Sequence, residues 1–138
     1  LASIPLFLFG ALGYMALNGE IAQIRQTAVT WLILNAVLAG IGVILARGHP
    51  LSALVGALAS PITSLNPTLA AGWFAGYTQF KLDSPTVGDT KDFLALDDIS
   101  LFWKNRVGKV LMVTAMGNVG SMAGAWIAGG AIIGILVG

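Results

Sequence analysis

Charge in this chain is confined to one place, which restricts the possible folds more than any other feature. Seven Lys/Arg and six Asp/Glu make thirteen charged residues, and ten of them lie between Lys81 and Lys109. Only Glu20, Arg25 and Arg47 interrupt the rest. Charged residues are 9% of the 138, against about 25% in a typical soluble domain, and 57% are apolar. A soluble fold of this composition would have to bury nearly every helix on all sides, which so short a chain cannot do. The residues therefore predict an all-α integral membrane bundle, a single transmembrane domain over residues 1–138 with the lipid bilayer as its main partner. Cysteine is absent, so disulfides and thiolate metal sites are excluded. Leu1 stands in an apolar run without a Met or a basic leader, which predicts the C-terminal part of a longer chain.

Three full spans are expected. Leu1–Leu17 is almost wholly apolar and closes at Asn18-Gly19. Glu20 to Gln26 is a polar patch at helical spacing, leading into a second span, Thr27–Ala46, interrupted only by Asn35. Arg47-Gly48-His49-Pro50 ends that span with a cation, a Gly cap and a Pro that opens the next helix. Lone His49 before a Pro reads as a helix cap. The third span is Val110–Val137, where Gly120, Gly124 and Ala128 are spaced four apart, as are Gly130, Gly134 and Gly138. Such small-residue faces allow close helix approach, within the chain or in a homo-oligomer.

Between the second and third spans lies a broken segment, Leu51 to Leu82. As one helix it would reach about 48 Å, against a hydrocarbon core of about 30 Å. Pro61 and Pro67 each remove a backbone donor and restrict the residue before them. Asn66 as N-cap and Pro67 as first helical residue predict a new helix from Thr68 to about Gln79. Leu51–Ser60 is then the first half, and the two halves form either a re-entrant hairpin or one broken span. Thr63, Ser64 and Asn66 can satisfy part of the unwound backbone. Asn118 and Ser121, one turn apart in the last span, can hydrogen-bond it as well. The candidate motif is thus Pro61, Thr63, Ser64, Asn66, Pro67, Gly72, Asn118 and Ser121. It serves either as a packed kink or as a midplane site for an anion or polar substrate.

In the polar region Phe102, Trp103, Lys104 and Arg106 have the composition of a short interfacial helix that anchors the last span. For a hairpin, six basic residues (Arg47, Lys81, Lys91, Lys104, Arg106, Lys109) share one side and Arg25 the other; for a broken span Arg25 takes the place of Arg47 and the count is again six against one. That bias places residues 81–109 in the cytoplasm of a multi-pass cell-membrane protein. Asp89, Asp92, Asp97 and Asp98 match no metal-binding loop and read as solvated charge. No catalytic set, phosphate loop or nucleic-acid stripe is present, so no cofactor or metal is expected.

Four motifs point to a family. Ser60-Pro-Ile-Thr-Ser-Leu-Asn-Pro67, Ala71-Gly72-Trp73, Phe102-Trp-Lys-Asn-Arg-Val107 and Asn118-Val-Gly-Ser121 resemble the membrane domain of TraB-family proteins. These include bacterial pheromone-shutdown proteins and archaeal relatives. The resemblance covers about Arg47 to Gly124, and residues 1–46 match in hydropathy alone. It implies a soluble TraB domain upstream, whose Gly-x-x-His motif is linked in some relatives to metal-dependent peptidase activity. That motif is missing here, since Ala46 stands three residues before His49. The resemblance implies a membrane domain that anchors the TraB domain and contributes to handling a peptide signal. A small channel or transporter module built on Asn66-Pro67, and a structural subunit of a membrane complex, are the alternatives.

Overall fold

The computed structural model describes residues 3–66 and 68–137. Those residues are all-α, in the order α1 (Ser3–Leu17), α2 (Ile21–Leu45), α3 (Pro50–Thr63), α4 (Ala71–Asp83), α5 (Val87–Leu94) and α6 (Arg106–Val137). A short 3-10 helix, Ile99–Trp103, precedes α6. Two helices, α2 with 25 residues and α6 with 32, are long and apolar enough to cross a membrane by length and composition. Helix α1, expected as a further span, is described over 15 apolar residues, about 22 Å. The polar patch from Ile21 to Gln26 forms the first turns of α2, because its residues keep the helical period.

Helices α2 and α6 make the most extensive contact in the molecule. They run antiparallel, with Gly42 against Met116, Gly120 against Leu38 and Ala39, and Gly124 against Leu34 and Asn35. A Cβ at Gly120 would collide with the Leu38 carbonyl, so these glycines set the distance between the two helices. Helices α3 and α4 form an antiparallel hairpin beside this pair. The His49 backbone N–H at the start of α3 reaches Gln79 Oε1 near the end of α4, at 2.7 Å. Gly56 meets Ala75 midway along the hairpin. The hairpin's open end therefore lies beside Lys109, and its tip lies against the middle of α2 and α6.

Both halves of the broken segment differ from the expected boundaries. Helix α3 continues through Pro61 to Thr63. The Pro61 carbonyl is taken by the Trp31 indole N–H at 3.3 Å, because Leu65 turns back to Ile62 instead. Helix α4 begins at Ala71 and ends at Asp83, later than expected at both ends. Asn66 does not cap it. Its side-chain oxygen accepts from the Thr68 N–H at 3.0 Å and the Thr68 hydroxyl at 2.7 Å, a local Asx turn. Pro67, expected at the first helical position, lies outside the described residues, as does Gly138.

The turn between α2 and α3 also departs from the sequence reading. Gly48 donates to the Val43 carbonyl at 2.9 Å and Arg47 to Ile44 at 2.8 Å, the Schellman pattern. Arg47, not Gly48, takes the left-handed conformation, with φ 58°. Gly48 is needed for space: a Cβ there would lie 2.6 Å from Val43 Cγ1 and 2.8 Å from Val113 Cγ2. His49 caps α3, its Nδ1 accepting from the Leu51 N–H at 3.1 Å.

Candidate functional site

The hairpin tip brings polar side chains from three helices to one point in the interior. The Ser60 hydroxyl donates to Ser121 Oγ at 2.8 Å, and Ser121 lies 3.1 Å from Ser64 Oγ. Ser64 has one proton, with Asn35 Oδ1 and the Ser60 carbonyl both at 2.7 Å. A consistent assignment runs Ser60 to Ser121 to Ser64 to Asn35, each hydroxyl donating once. Asn35 in turn donates to the Trp31 carbonyl at 2.9 Å. Ser60 and Asn35 are fully buried and Ser121 is 8% exposed. Burial of hydroxyls and amides at this depth is affordable only because the donors and acceptors meet one another.

The second connection starts α4. No side chain of its own segment caps this helix. Asn118, on α6, accepts the Gly72 N–H at 2.7 Å through Oδ1. It thus satisfies one of the orphan donors of the helix from a different element. Gly72 has to be glycine for this to happen, since a Cβ would collide with the Thr114 carbonyl and lie 2.6 Å from Asn118 Oδ1. Gly117 lies against the Gly72 backbone in the same crossing, and Gly76 against Thr114.

Of the candidate motif, the fold unites Ser64 and Ser121 in one network and Asn118 with Gly72 in another. Pro61 contributes its carbonyl to Trp31. Thr63 is buried and donates to the Ser60 carbonyl at 3.3 Å. Asn66 is exposed and joins neither network, though it lines, with Thr63, Ser64, Asn118 and Ser121, a cavity of about 310 Å³ at the tip. Three participants escaped the sequence reading. Asn35 had a signal, being the sole interruption of the expected second span. Ser60 and Trp31 carried no such mark.

The expected anchor residues sit at the other end of the bundle. Phe102 meets Phe93 edge-on, with ring centroids 5.0 Å apart, while the Trp103 indole nitrogen is buried without a hydrogen-bond partner among the described residues. Lys104 follows the 3-10 helix and is exposed. Arg106 lies 4.0 Å from Asp89. A short helix lies where one was expected, the 3-10 helix Ile99–Trp103 with Phe102 and Trp103 on it, while Arg106 opens α6 and α5 precedes the 3-10 helix across residues 95–98. Thr86 and Asp89 form a capping box at α5, their mutual hydrogen bonds spanning 2.7 to 3.2 Å. The Thr86 backbone and hydroxyl donors hold Asp89 below its ordinary carboxylate pKa, with a smaller contribution from Arg106. The Ser100 donors do the same for Asp98. Fully buried Gln79 links the helix ends, accepting from His49 and donating to Asp83 at 2.8 Å. Asp83 in turn lies 3.7 Å from Lys109.

Residues 1–137 match the family model described as "TraB family protein, C-terminal domain". The chain belongs to the TraB family. It is also similar to an uncharacterized protein of Methanocaldococcus jannaschii, 31% identical over 138 residues, covering 99% of this chain and 34% of the relative. The chain therefore spans about a third of the length of the curated relative it matches. No solved structure matches it.

Proposed function

We propose that this chain is the membrane-embedded domain of a TraB-family protein and that it anchors a TraB domain lying N-terminal to it in the full-length protein. The observation that carries this reading is an inverted distribution of polarity. Val29, Leu32, Ile33, Val37, Ile41 and Ile44 are exposed along α2, as are Val119, Met122, Trp126, Ile127 and Ile133 along α6. Thr27, Asn35, Ser60, Gln79 and Ser121 are buried and hydrogen-bonded within the protein, and Ser52 is buried with its hydroxyl unpartnered among the described residues. Water would penalise such a surface by about 25 cal/mol per Å². Hydrocarbon does not, but it requires polar groups to find partners inside the protein.

In this reading α3 and α4, about 21 and 20 Å long, form a re-entrant hairpin that returns to its starting side. The basic residues at its open end favour the cytoplasm for that side. The length of the Methanocaldococcus relative outside the matched third supports a further domain, and a role in peptide-signal shutdown would rest on that domain's chemistry. A second reading, a site for a small polar ligand, draws on the cavity beside Asn66 and Asn118. Anchoring is the better supported of the two, because the converging groups of α2, α3 and α6 engage one another.

Carbonate extraction and single-cysteine labelling test the proposal. The chain should stay with membranes at alkaline pH, and release into the supernatant would overturn the reading. Cysteines replacing exposed Arg47 and Asp97 should both resist an impermeant thiol reagent in intact cells, whereas one replacing Asn18 should react. Unlike behaviour at 47 and 97 would refute the hairpin, and labelling of 97 would refute the sidedness. Deleting this domain from the full-length protein should free the remainder into the soluble fraction.

A further inference from the structure

We propose that the groove between α2 and α3 holds one anionic phospholipid, its acyl chain in the groove and its phosphate on Arg47; the inference rests on the membrane reading above. The groove has a volume of about 510 Å³, within the range of ligand-sized clefts, roughly 300 to 1,000 Å³. Small residues form its floor: Ala36 and Gly40 from α2, Ala53 and Ala57 from α3. Large exposed side chains such as Ile41, Ile44 and Leu54 flank them. A Cβ at Gly40 would be in ordinary van der Waals contact with Ala57 Cβ at 3.5 Å and the Ala53 carbonyl at 3.6 Å, so α2 and α3 approach closely along the floor and a larger side chain there must rise into the groove.

Length and charge select the occupant. From Ala36 to Leu45 the groove follows α2 for ten residues, a rise of about 14 Å, which matches one leaflet's hydrocarbon depth of about 15 Å. One end lies level with the hairpin tip, where Asn35 meets Ser64. The other is closed by the turn that carries Arg47, which is exposed and takes part in neither of the ion pairs among the described residues. An acyl chain reaching from the cytoplasmic surface to the midplane fills the groove, and its phosphate meets a guanidinium suited to it. Basic residues beside helix grooves on this side of a membrane recognise anionic headgroups in this way.

The test uses the full chain, extracted in mild detergent and exchanged into mixed micelles of equal phosphatidylglycerol and phosphatidylcholine, followed by native mass spectrometry. One phosphatidylglycerol per chain should be retained, in about five-fold preference, the contribution of one basic residue at an anionic surface. Arg47→Gln should abolish the preference while Arg25→Gln, at the opposite end, leaves it. Gly40→Leu should fill the floor and reduce retention of both lipids, with the melting transition checked to establish folding. Undiminished preference in Arg47→Gln, or undiminished retention in folded Gly40→Leu, would overturn the proposal. Carbonate extraction of the same preparation separates this outcome from failure of the membrane reading, since an embedded chain can still lack the lipid.

Discussion

Removing the Asn118 side chain should harm the fold more than removing that of Asn66, although Asn66 precedes α4 in sequence and Asn118 lies 46 residues beyond Gly72. Asn118 accepts the Gly72 N–H at 2.7 Å in a half-buried crossing where the backbones of Gly72 and Gly117 touch. With alanine at 118 that N–H loses its partner where water cannot easily replace it. Losing an N-cap costs about 0.5 to 2 kcal/mol and stranding a buried donor about 1 to 3. Interhelical hydrogen bonds in membranes contribute less, averaging about 0.6 with a maximum near 1.7 kcal/mol. Together these place Asn118→Ala at about 1 to 2 kcal/mol. Asn66 is exposed and serves only Thr68, so Asn66→Ala should fall within about 0.5 kcal/mol. The four tryptophans provide a fluorescence signal for unfolding by denaturing detergent. Equal losses for the two variants, or a larger loss at 66, would refute the assignment of the cap to α6.

Three further outcomes follow from the geometry. Gly120→Leu should abolish folding or cost at least about 3 kcal/mol, because the side chain must displace the Leu38 backbone; a normal melting curve would contradict the α2–α6 packing. Arg47→Gly should stabilise by about 0.5 to 1 kcal/mol, since glycine adopts φ 58° without the side-chain penalty, and a loss of stability would refute the left-handed assignment. Asp89 has a pKa lowered in the folded state, so its contribution to the α5 cap is present at neutral pH and disappears as pH falls below about 4. Hydrogen exchange of the α5 amides should accelerate at that pH, and Asp89→Asn should already exchange fast at neutral pH.

Much of this architecture is legible in residue order because apolar runs and prolines act locally. Pro50 opens α3 with His49 as its cap, and the expected interruption between two helical halves is present, with α3 ending at Thr63 and α4 starting at Ala71. The boundaries escaped because they depend on groups distant in sequence. Pro61 stays helical while its carbonyl is taken by Trp31, 30 residues away. Helix α4 starts at Ala71 instead of Thr68, its orphan donor being met by α6 while Asn66 bonds to its own neighbour. Local rules favour Asn66 as a cap, but nothing local discloses a competing acceptor on another helix. Asn35 stood out as an anomaly, yet its partner Ser64 could be known only once α3 had been folded back along α2.

Glycine and serine in α6 act as one device. Gly117, Gly120 and Gly124 line the face that carries Ser121, and each touches the backbone or short side chains of α2 or α4. A serine hydroxyl extends only two bonds from Cα. The 2.8 Å contact between Ser60 and Ser121 therefore exists only because α6 carries no bulk on this face to hold its neighbours away. The dependence also runs the other way: glycine faces give close backbones but little apolar area to bury, so the hydrogen bonds supply direction that packing alone leaves unspecified. Leucines in place of the glycines would separate the helices and strand the hydroxyls together. Alanines in place of the serines would leave the helices close but free to slide. Position along the bundle, and with it the register that brings Asn118 to Gly72, is set where the two residue types alternate.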